Sequence, residues 1–221
     1  MIFYINKKQR SERKGFTLAE VLSTLAVVGV LAAISMGIIL PKIQDAQHKT
    51  AFVAIYSELT QVTTKIMMDN GGSLKGVFTN ANIRDKFAQY LNIIKSCNYG
   101  QILGNCWHNN DGSSKYLNGT PKTNWGNYSG VILNNGVLFS FYTSNSNCTN
   151  SSGSILFCGF ITVDVNGFRG PNTIGKDIYF IWIQENGIKP WGTKGDTLEN
   201  TCTTSNTGWG CAAKVLMGQD Y

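Results

Sequence analysis

This chain of 221 residues has few charged side chains and few of the groups on which catalytic sites depend. Charged residues make up 14% of the sequence, and the two histidines, His48 and His108, lie far apart along it. That pattern does not indicate a zinc site or a catalytic dyad, and we expect both histidines at the surface. No Cys-x-x-Cys pair, Gly-x-Ser-x-Gly motif, phosphate-binding loop or internal repeat is present. The sequence therefore gives no positive support for an enzyme.

Positive charge is concentrated at the N-terminus. The formal net charge is +6, but five basic residues and one acidic residue precede Phe16, so +4 of that charge belongs to this short segment. The remaining weak excess does not indicate nucleic acid binding, for which a clustered basic face is expected. Basic residues before an apolar run stay on the cytoplasmic side of a membrane. We therefore expect the rest of the chain to be exported.

Residues 16–40 form an apolar run of 25 residues in which Glu20 is the only ionisable side chain. As a helix the run would be about 37 Å long, which is enough to cross a bilayer with some tilt. A secretory signal has a shorter apolar region followed by small residues for cleavage, whereas here the small residue, Gly15, comes before the run. The pattern predicts a single membrane-spanning helix.

Glu20 needs a partner, because an unpaired acid inside a membrane span costs at least about 2 to 3 kcal/mol. A cut after Gly15 would give Phe16 a free α-ammonium group one helical turn from Glu20. The two charges could then neutralise each other within a chain or between neighbours. The alternative, a plain signal anchor with an incidental glutamate, leaves the acid unpaired.

Gly15, Phe16, Thr17, Leu18 and Glu20, preceded by basic residues and followed by an apolar run, resemble the cleavage and methylation motif of type IV pilins and of the pseudopilins of type II secretion. The resemblance implies that a prepilin peptidase cuts between Gly15 and Phe16 and methylates the new amine. It also implies that Glu20 meets the Phe16 amine of a neighbouring subunit as a filament assembles on an inner-membrane platform.

We predict a leader at residues 1–15, a membrane and filament-core helix at 16–40, an amphipathic continuation at 41–70 and an exported head at 71–221. The continuation carries apolar residues at helical spacing, and Asp69 to Gly72 would end it. Pro41 is expected to kink or loosen the helix. The apolar residues of this stripe are Phe52, Ile55, Leu59, Val62 and Ile66.

The head is predicted to contain a small antiparallel sheet, which gives an α+β, pilin-like fold with the long N-terminal helix packed on the sheet. Residues 131–133 and 137–142 form a hairpin signal around Asn135 and Gly136, since Asn-Gly suits a tight turn. Residues 155–165 and 178–184 predict two further strands. Residues 71–130 predict loops, with one short helix near 83–91.

All six cysteines lie beyond the membrane segment, which predicts disulfide bonds in the exported head. Six cysteines allow many connectivities, and sequence order suggests three local pairs. Each pair closes a loop of about ten residues, worth about 2 to 3 kcal/mol in the chain-entropy model. The suggested pairs are Cys97 with Cys106, Cys148 with Cys158, and Cys202 with Cys211.

The loop from Asp164 to Asp177 begins like a calcium-binding EF-hand loop. Asp164, Asn166 and Asp177 are candidate oxygen ligands, but the loop lacks an acid at its third ligand position and the terminal glutamate. The alternative is a turn capped by its own Asx side chains, with no ion. The resemblance adds that some pseudopilins bind calcium in a loop near their sheet. No other cofactor is predicted.

The tryptophans near the predicted loops allow two interpretations. Exposed indoles could stack on sugars or contact a neighbouring subunit, or the indoles could cover a thin core, as is usual for this residue. The residues concerned are Trp107, Trp125, Trp191 and Trp209.

The leading hypothesis is a structural subunit of a type IV pilus, a type II secretion pseudopilus or a related DNA-uptake fibre. The precursor would be a single-pass protein of the inner membrane with an exported head, later found in a pilus or a periplasmic pseudopilus. Its partners would be the prepilin peptidase, other subunits and the assembly platform. The alternative is a membrane-anchored module that binds glycans or DNA, and a third hypothesis is an exported enzyme.

Overall fold

The computed structural model describes residues 15–220, so the predicted leader lies outside the described residues except for Gly15. The chain divides into two compact units, Met1–Ile43 and Gln44–Tyr221, whose boundary falls within the first helix. The elements, in chain order, are α1 (Leu18–Asp69), α2 (Ile83–Ala88), β1 (Ile93–Cys97), β2 (Ser114–Lys115), β3 (Pro121–Lys122), β4 (Ser129–Leu133), β5 (Leu138–Thr143), β6 (Asn150–Ser152), β7 (Ile155–Phe157), β8 (Gly159–Asp164), β9 (Ile178–Gln184), β10 (Gly187–Pro190) and α3 (Cys211–Leu216).

The first unit consists of the N-terminal part of α1. Within the described residues, α1 contains one stretch that is long and apolar enough to cross a membrane, with a mean hydropathy of 2.3 and no part of it buried. Pro41 lies inside α1 without ending it. The helix ends at Asp69, as predicted, and the N–H of Gly72 then donates to the Met67 carbonyl at 2.8 Å.

The second unit is built on a six-stranded antiparallel sheet with the order β1-β4-β5-β8-β9-β10. The predicted hairpin is confirmed as β4 and β5, and Gly136 in its turn has a φ of +87°, which glycine adopts without strain. Two small two-stranded ribbons, β2 with β3 and β6 with β7, lie outside the main sheet.

One face of the sheet packs against α1. All five residues of the predicted apolar stripe, Phe52 to Ile66, are buried, with exposed fractions of 5% or less. Phe52 stacks on Tyr179 of β9 with ring centroids 4.2 Å apart. Tyr179, Ile181 and Ile183 alternate toward this helix-side core. The predicted α+β fold, a long helix on an antiparallel sheet, is confirmed.

The opposite face of the sheet carries a second core under loops. Phe180 and Trp182 of β9 point to this face and pack with Trp191, which stacks on them at 4.6 and 4.3 Å. Because both faces are covered, β9 reads as an almost continuous apolar run. Trp107, Trp125 and Trp191 are buried and Trp209 is half-buried. The tryptophans therefore belong mainly to a core, and the interpretation of these indoles as exposed is wrong for the first three.

The three disulfides are Cys97–Cys106, Cys148–Cys158 and Cys202–Cys211, the pairs that sequence order suggests. Each one fastens a loop of the head to a neighbouring segment. Cys97 ends the edge strand β1, and Cys211 begins α3. The two bonds therefore anchor segments whose own hydrogen-bonded structure is short.

Several boundaries differ from the prediction. The strand expected at 155–165 is two strands, β7 and β8, because Cys158 lies between them in a disulfide and β7 pairs with β6. The segment 71–130, expected as loops, contains the edge strand β1. Its side chains at Ile94 to Ser96 are exposed, so no alternating apolar pattern marks the strand. The helix α3 was not predicted either.

Candidate functional site

The predicted cleavage site lies just before α1. Gly15, Phe16 and Thr17 are not helical, and the Phe16 side chain is 87% exposed. A Cβ atom added at Gly15 would have no heavy atom within 4 Å, and its φ is not in the left-handed region. The fold itself therefore does not require glycine at this position. The structure therefore leaves the prediction of a peptidase cut after Gly15 compatible with the fold.

Thr17 and Glu20 form a capping box at the start of α1. The backbone N–H of Glu20 donates to the Thr17 hydroxyl oxygen at 3.2 Å, and the N–H and O–H of Thr17 both donate to the Glu20 carboxylate at 2.9 Å. This reciprocal arrangement satisfies backbone donors that a helix start leaves unpaired. Glu20 is thus hydrogen-bonded within its own chain. Sequence reasoning placed Thr17 in the cleavage motif but missed its capping role, although the Thr-x-x-Glu spacing marks such a box.

The other polar side chains of the apolar segment bond to their own helix. The hydroxyls of Ser23, Thr24 and Ser35 donate to the carbonyls of Glu20, Val21 and Leu31 at 3.1, 3.0 and 2.7 Å. Such bonds let hydroxyl groups enter an apolar environment without an unsatisfied donor. In the described part of this run, Glu20 is the one acidic or basic side chain, and an ion pair with a basic group would stabilise it.

Asp164, at the end of β8, lies in a buried polar cluster of the head. Its side chain is fully buried and accepts a hydrogen bond from the His108 ring at 2.7 Å and another from the Asn166 backbone N–H at 3.1 Å. His108 is itself only 4% exposed, so the expectation of a surface histidine is wrong for this residue. Burial raises the pKa of Asp164 to about 7, and the hydrogen bond from His108 opposes that rise.

Asp177 lies in the same cluster and is held by the loop backbone. Its two carboxylate oxygens accept hydrogen bonds from the N–H groups of Asn172 and Thr173, at 2.7 and 2.6 Å. Burial raises the pKa of Asp177, and these backbone bonds oppose the rise. The Asn166 amide donates to the Gly170 carbonyl at 3.1 Å and lies 3.3 Å from the ring of His48, which is half-buried. The loop is therefore fastened largely by its own Asx side chains.

The candidate calcium ligands come together in space, but they fit a self-bonded turn better than a metal site. Calcium takes about six to eight oxygen ligands. All four carboxylate oxygens of Asp164 and Asp177 already accept hydrogen bonds. The buried side-chain oxygens of Asn166 and Asn172 have no donor among the described residues, and two such oxygens are too few for a calcium ion. Among the described residues, no group of three or more acidic, histidine or cysteine side chains could hold a metal ion.

Comparison with known proteins identifies the N-terminal segment. A family model for the prokaryotic N-terminal methylation motif matches residues 10–36. This motif is the leader signature of type IV pilins and pseudopilins, and the chain carries it. The motif implies processing by a prepilin peptidase and assembly with pilin subunits, and with the apolar helix it is consistent with a membrane-anchored precursor. No curated protein and no solved structure matches the chain.

Replacement of Gly15 by valine should block maturation without disturbing the fold, because a side chain at this position meets no neighbouring atom. The expected result is full-length precursor in the membrane when the variant is expressed with the peptidase. Mass spectrometry of the membrane fraction measures it, and Gly29→Ala, at a glycine within α1 that is also free of contacts, serves as the control. Normal maturation of Gly15→Val would contradict the assignment.

Calcium should not stabilise the head, because the carboxylate oxygens of Asp164 and Asp177 are already hydrogen-bonded. Thermal melts of residues 44–221 with millimolar calcium and with chelator should give the same midpoint. A bound ion at a hundredfold excess over its Kd would add about 2.7 kcal/mol of stability. A clear separation of the midpoints that Asp164→Ala abolishes would restore the calcium site.

Stability of the head should fall as the pH rises from about 4 to about 7. Between the ordinary pKa of 3.8 and the folded value of about 7, folded Asp164 keeps a proton that the unfolded chain has lost. Above both values the loss is complete and the curve is flat. The midpoint at pH 8 should lie several degrees below that at pH 5, since 1 kcal/mol shifts it by about 2 to 4 °C. Asp164→Asn should reduce the dependence and leave the part that comes from Asp177, whose pKa burial also raises, and exposed Asp85→Asn should preserve it.

Proposed function

We propose that this chain is a structural subunit of a type IV pilus or a type II secretion pseudopilus, with a structural rather than an enzymatic role. After cleavage between Gly15 and Phe16, the N-terminal part of α1 would form the core of a helical filament that carries the head. The observation that carries the proposal is the combination of the leader signature with an exposed apolar stretch of α1 whose acid lies one turn from the proposed cut.

The exposed apolar side chains require a cover, which lipid supplies before assembly and neighbouring helices supply afterwards. Phe16 and Leu18 are 87% and 77% exposed, and Leu25 and Val28 are 63% and 61% exposed. Lipid tails are as apolar as leucine, so moving these groups from lipid into a filament gives little net hydrophobic gain. The apolar surface therefore permits assembly but does not direct it.

Glu20 supplies the directing interaction in this proposal. In the single chain its carboxylate is held by Thr17, which is a neutral partner. The Phe16 ammonium of a neighbouring subunit, created by cleavage, would offer an opposite charge in an apolar environment, where Coulomb attraction is stronger than in water. Exchange of the Thr17 bonds for this ion pair would favour one axial position of the incoming subunit over its neighbours.

Replacement of Glu20 by alanine should leave membrane insertion intact, since the segment becomes more apolar, but should reduce filament yield more than about tenfold. The reason is that the Phe16 ammonium would be left without its partner. Sheared filaments quantified by immunoblot, relative to subunit in the membrane, measure the effect. Ser23→Ala, which removes a polar group of the same helix that bonds only to its own backbone, should assemble normally. Wild-type yield of Glu20→Ala would exclude the directing role.

The choice between a pilus, a pseudopilus and a DNA-uptake fibre depends on the machinery that assembles the subunit. An assembly ATPase, a platform protein and a secretin encoded nearby would support the filament class, and a retraction ATPase would favour a pilus. The alternative hypothesis of a glycan-binding module has support of its own in an aromatic cavity of the head, and binding there is compatible with a filament subunit.

A further inference from the structure

An aromatic cavity of about 100 Å³ opens on the face of the sheet that is turned away from α1. It lies wholly within the second unit. Its walls are mainly aromatic and include Trp125, Trp191 and Trp209, while Ser140 and Thr162 of the sheet contribute hydroxyl groups. Lys122 is the one charged residue that lines it. The cavity therefore combines stacking surfaces with a few polar groups, as ligand sites commonly do.

Two hydroxyl groups, which make no hydrogen bond with a described residue, line the aromatic cavity. Ser140 of β5 and Thr162 of β8 are cross-strand neighbours, and Thr162 is in turn opposite Phe180 of β9. They are 2% and 3% exposed, and neither side-chain hydroxyl makes a hydrogen bond with a described residue. Valine would pack in such a place without an unmet polar group. These hydroxyls are therefore available to a molecule that enters the cavity.

Two further donors at the cavity are unmatched. The indole N–H groups of Trp125 and Trp191 are buried and have no acceptor among the described residues. Trp182, which stacks on Trp191, shows the usual solution, since its N–H donates to Asp196 at 2.8 Å. A buried donor without an acceptor is unfavourable, and most native structures contain few of them. Two buried indole donors without an acceptor therefore belong to residues that line the same cavity as the two hydroxyl groups.

Lys122 adds a fixed positive charge at this cavity. Its side chain is 3% exposed, and its ammonium lies 4.8 Å from the ring centroid of Trp125 and 5.6 Å from that of Trp209. It donates to the backbone carbonyl of Asn124 at 2.7 Å and also to the side-chain oxygen of Asn124. An ammonium group has three donors, so one remains for an acceptor in the cavity. The charge disfavours cationic ligands.

The size and polarity of the cavity define the group that fits it. It is smaller than the roughly 150 Å³ cavity that encloses benzene in an engineered protein, so it admits a group of a few heavy atoms rather than a whole ring. A purely apolar group would leave the hydroxyls unmet, and a bare carboxylate would gain nothing from the ring faces. A secondary acetamide offers a methyl group, an acceptor oxygen and a donor N–H together.

We propose that the aromatic cavity of the head binds the N-acetyl group of an amino sugar. The methyl group packs against the indole rings, the amide oxygen accepts from Lys122, and the amide N–H donates to the neighbouring hydroxyls of Ser140 and Thr162 together. The sugar ring stays at the mouth, where half-buried Trp209 offers an aromatic face for stacking. Because only one small group is enclosed, the affinity for a single sugar is in the millimolar range.

Saturation-transfer NMR of the full chain tests this site, in a zwitterionic detergent because glycoside detergents would compete. With N-acetylglucosamine as the probe, transfer should be strongest at the acetyl methyl group, and glucose, which lacks the acetamide, should give little. Thr162→Val should lower the affinity about threefold to tenfold, as expected for one lost hydrogen bond. Thr143→Val is the matched control. Thr143 lies on the neighbouring strand β5 and is also buried, and its hydroxyl has no partner among the described residues, but it does not line the cavity.

Three outcomes would overturn the proposal. They are absence of transfer to the methyl group at tens of millimolar sugar, equal transfer to glucose, and equal behaviour of the Thr162 and Thr143 variants. Stronger binding of Nε-acetyllysine would replace the sugar with an acetylated peptide. Should Thr162→Val fail to keep the wild-type melting temperature, Ser140→Ala removes the neighbouring hydroxyl and answers the same question. Filament assembly does not enter any of these readouts, so this site and the proposed function fail separately.

Discussion

The helix α1 has to suit two environments along its length, and the architecture depends on how it does so. The described side chains of residues 18–40 are exposed and, apart from Glu20 and a few hydroxyl-bearing residues, apolar, whereas residues from Gln44 onward present a single apolar stripe to the sheet. An apolar helix surface without a protein partner is stable in lipid or among similar helices, and a one-sided stripe is stable on a sheet. One continuous helix thus contains a stretch that is long and apolar enough to cross a membrane and, further along, the stripe that packs on the sheet.

Polar groups in apolar surroundings form hydrogen bonds with nearby groups of the same chain in this protein. The acid at the start of α1 is held by the Thr17 capping box, and the buried acids Asp164 and Asp177 of the head are held by His108 and by loop N–H groups. Each solution lowers the cost of burial while it leaves some free energy to be gained from a different partner. For Glu20 that partner would be a neighbouring ammonium. For Asp164 it is a proton, because its pKa is raised to about 7.

The features that could be predicted from sequence are those set by local spacing. The stripe from Phe52 to Ile66 follows helical periodicity, the hairpin follows its Asn-Gly turn, and the cysteines pair with neighbours that are close along the chain. The features that were missed depend on contacts between distant segments. His108 is buried because it meets Asp164, and the strand expected at 155–165 is divided at Cys158 by a disulfide to Cys148. The Thr17 capping box was readable from its spacing and was overlooked.

The two faces of the sheet are covered differently: α1 packs on one face, and loops cover the other. The face that packs on α1 carries apolar side chains that contact an apolar stripe, so substitutions there change the stability of the head through packing. The loop-covered face instead has two buried indole N–H groups without an acceptor among the described residues, and it places the hydroxyls of Ser140 and Thr162 at the aromatic cavity. Departures from local packing rules concentrate at functional sites, because there the compensating interaction comes from outside the chain. The head therefore carries its binding chemistry on the face that α1 leaves free, and the apolar stripe can hold the sheet in place without constraining that chemistry.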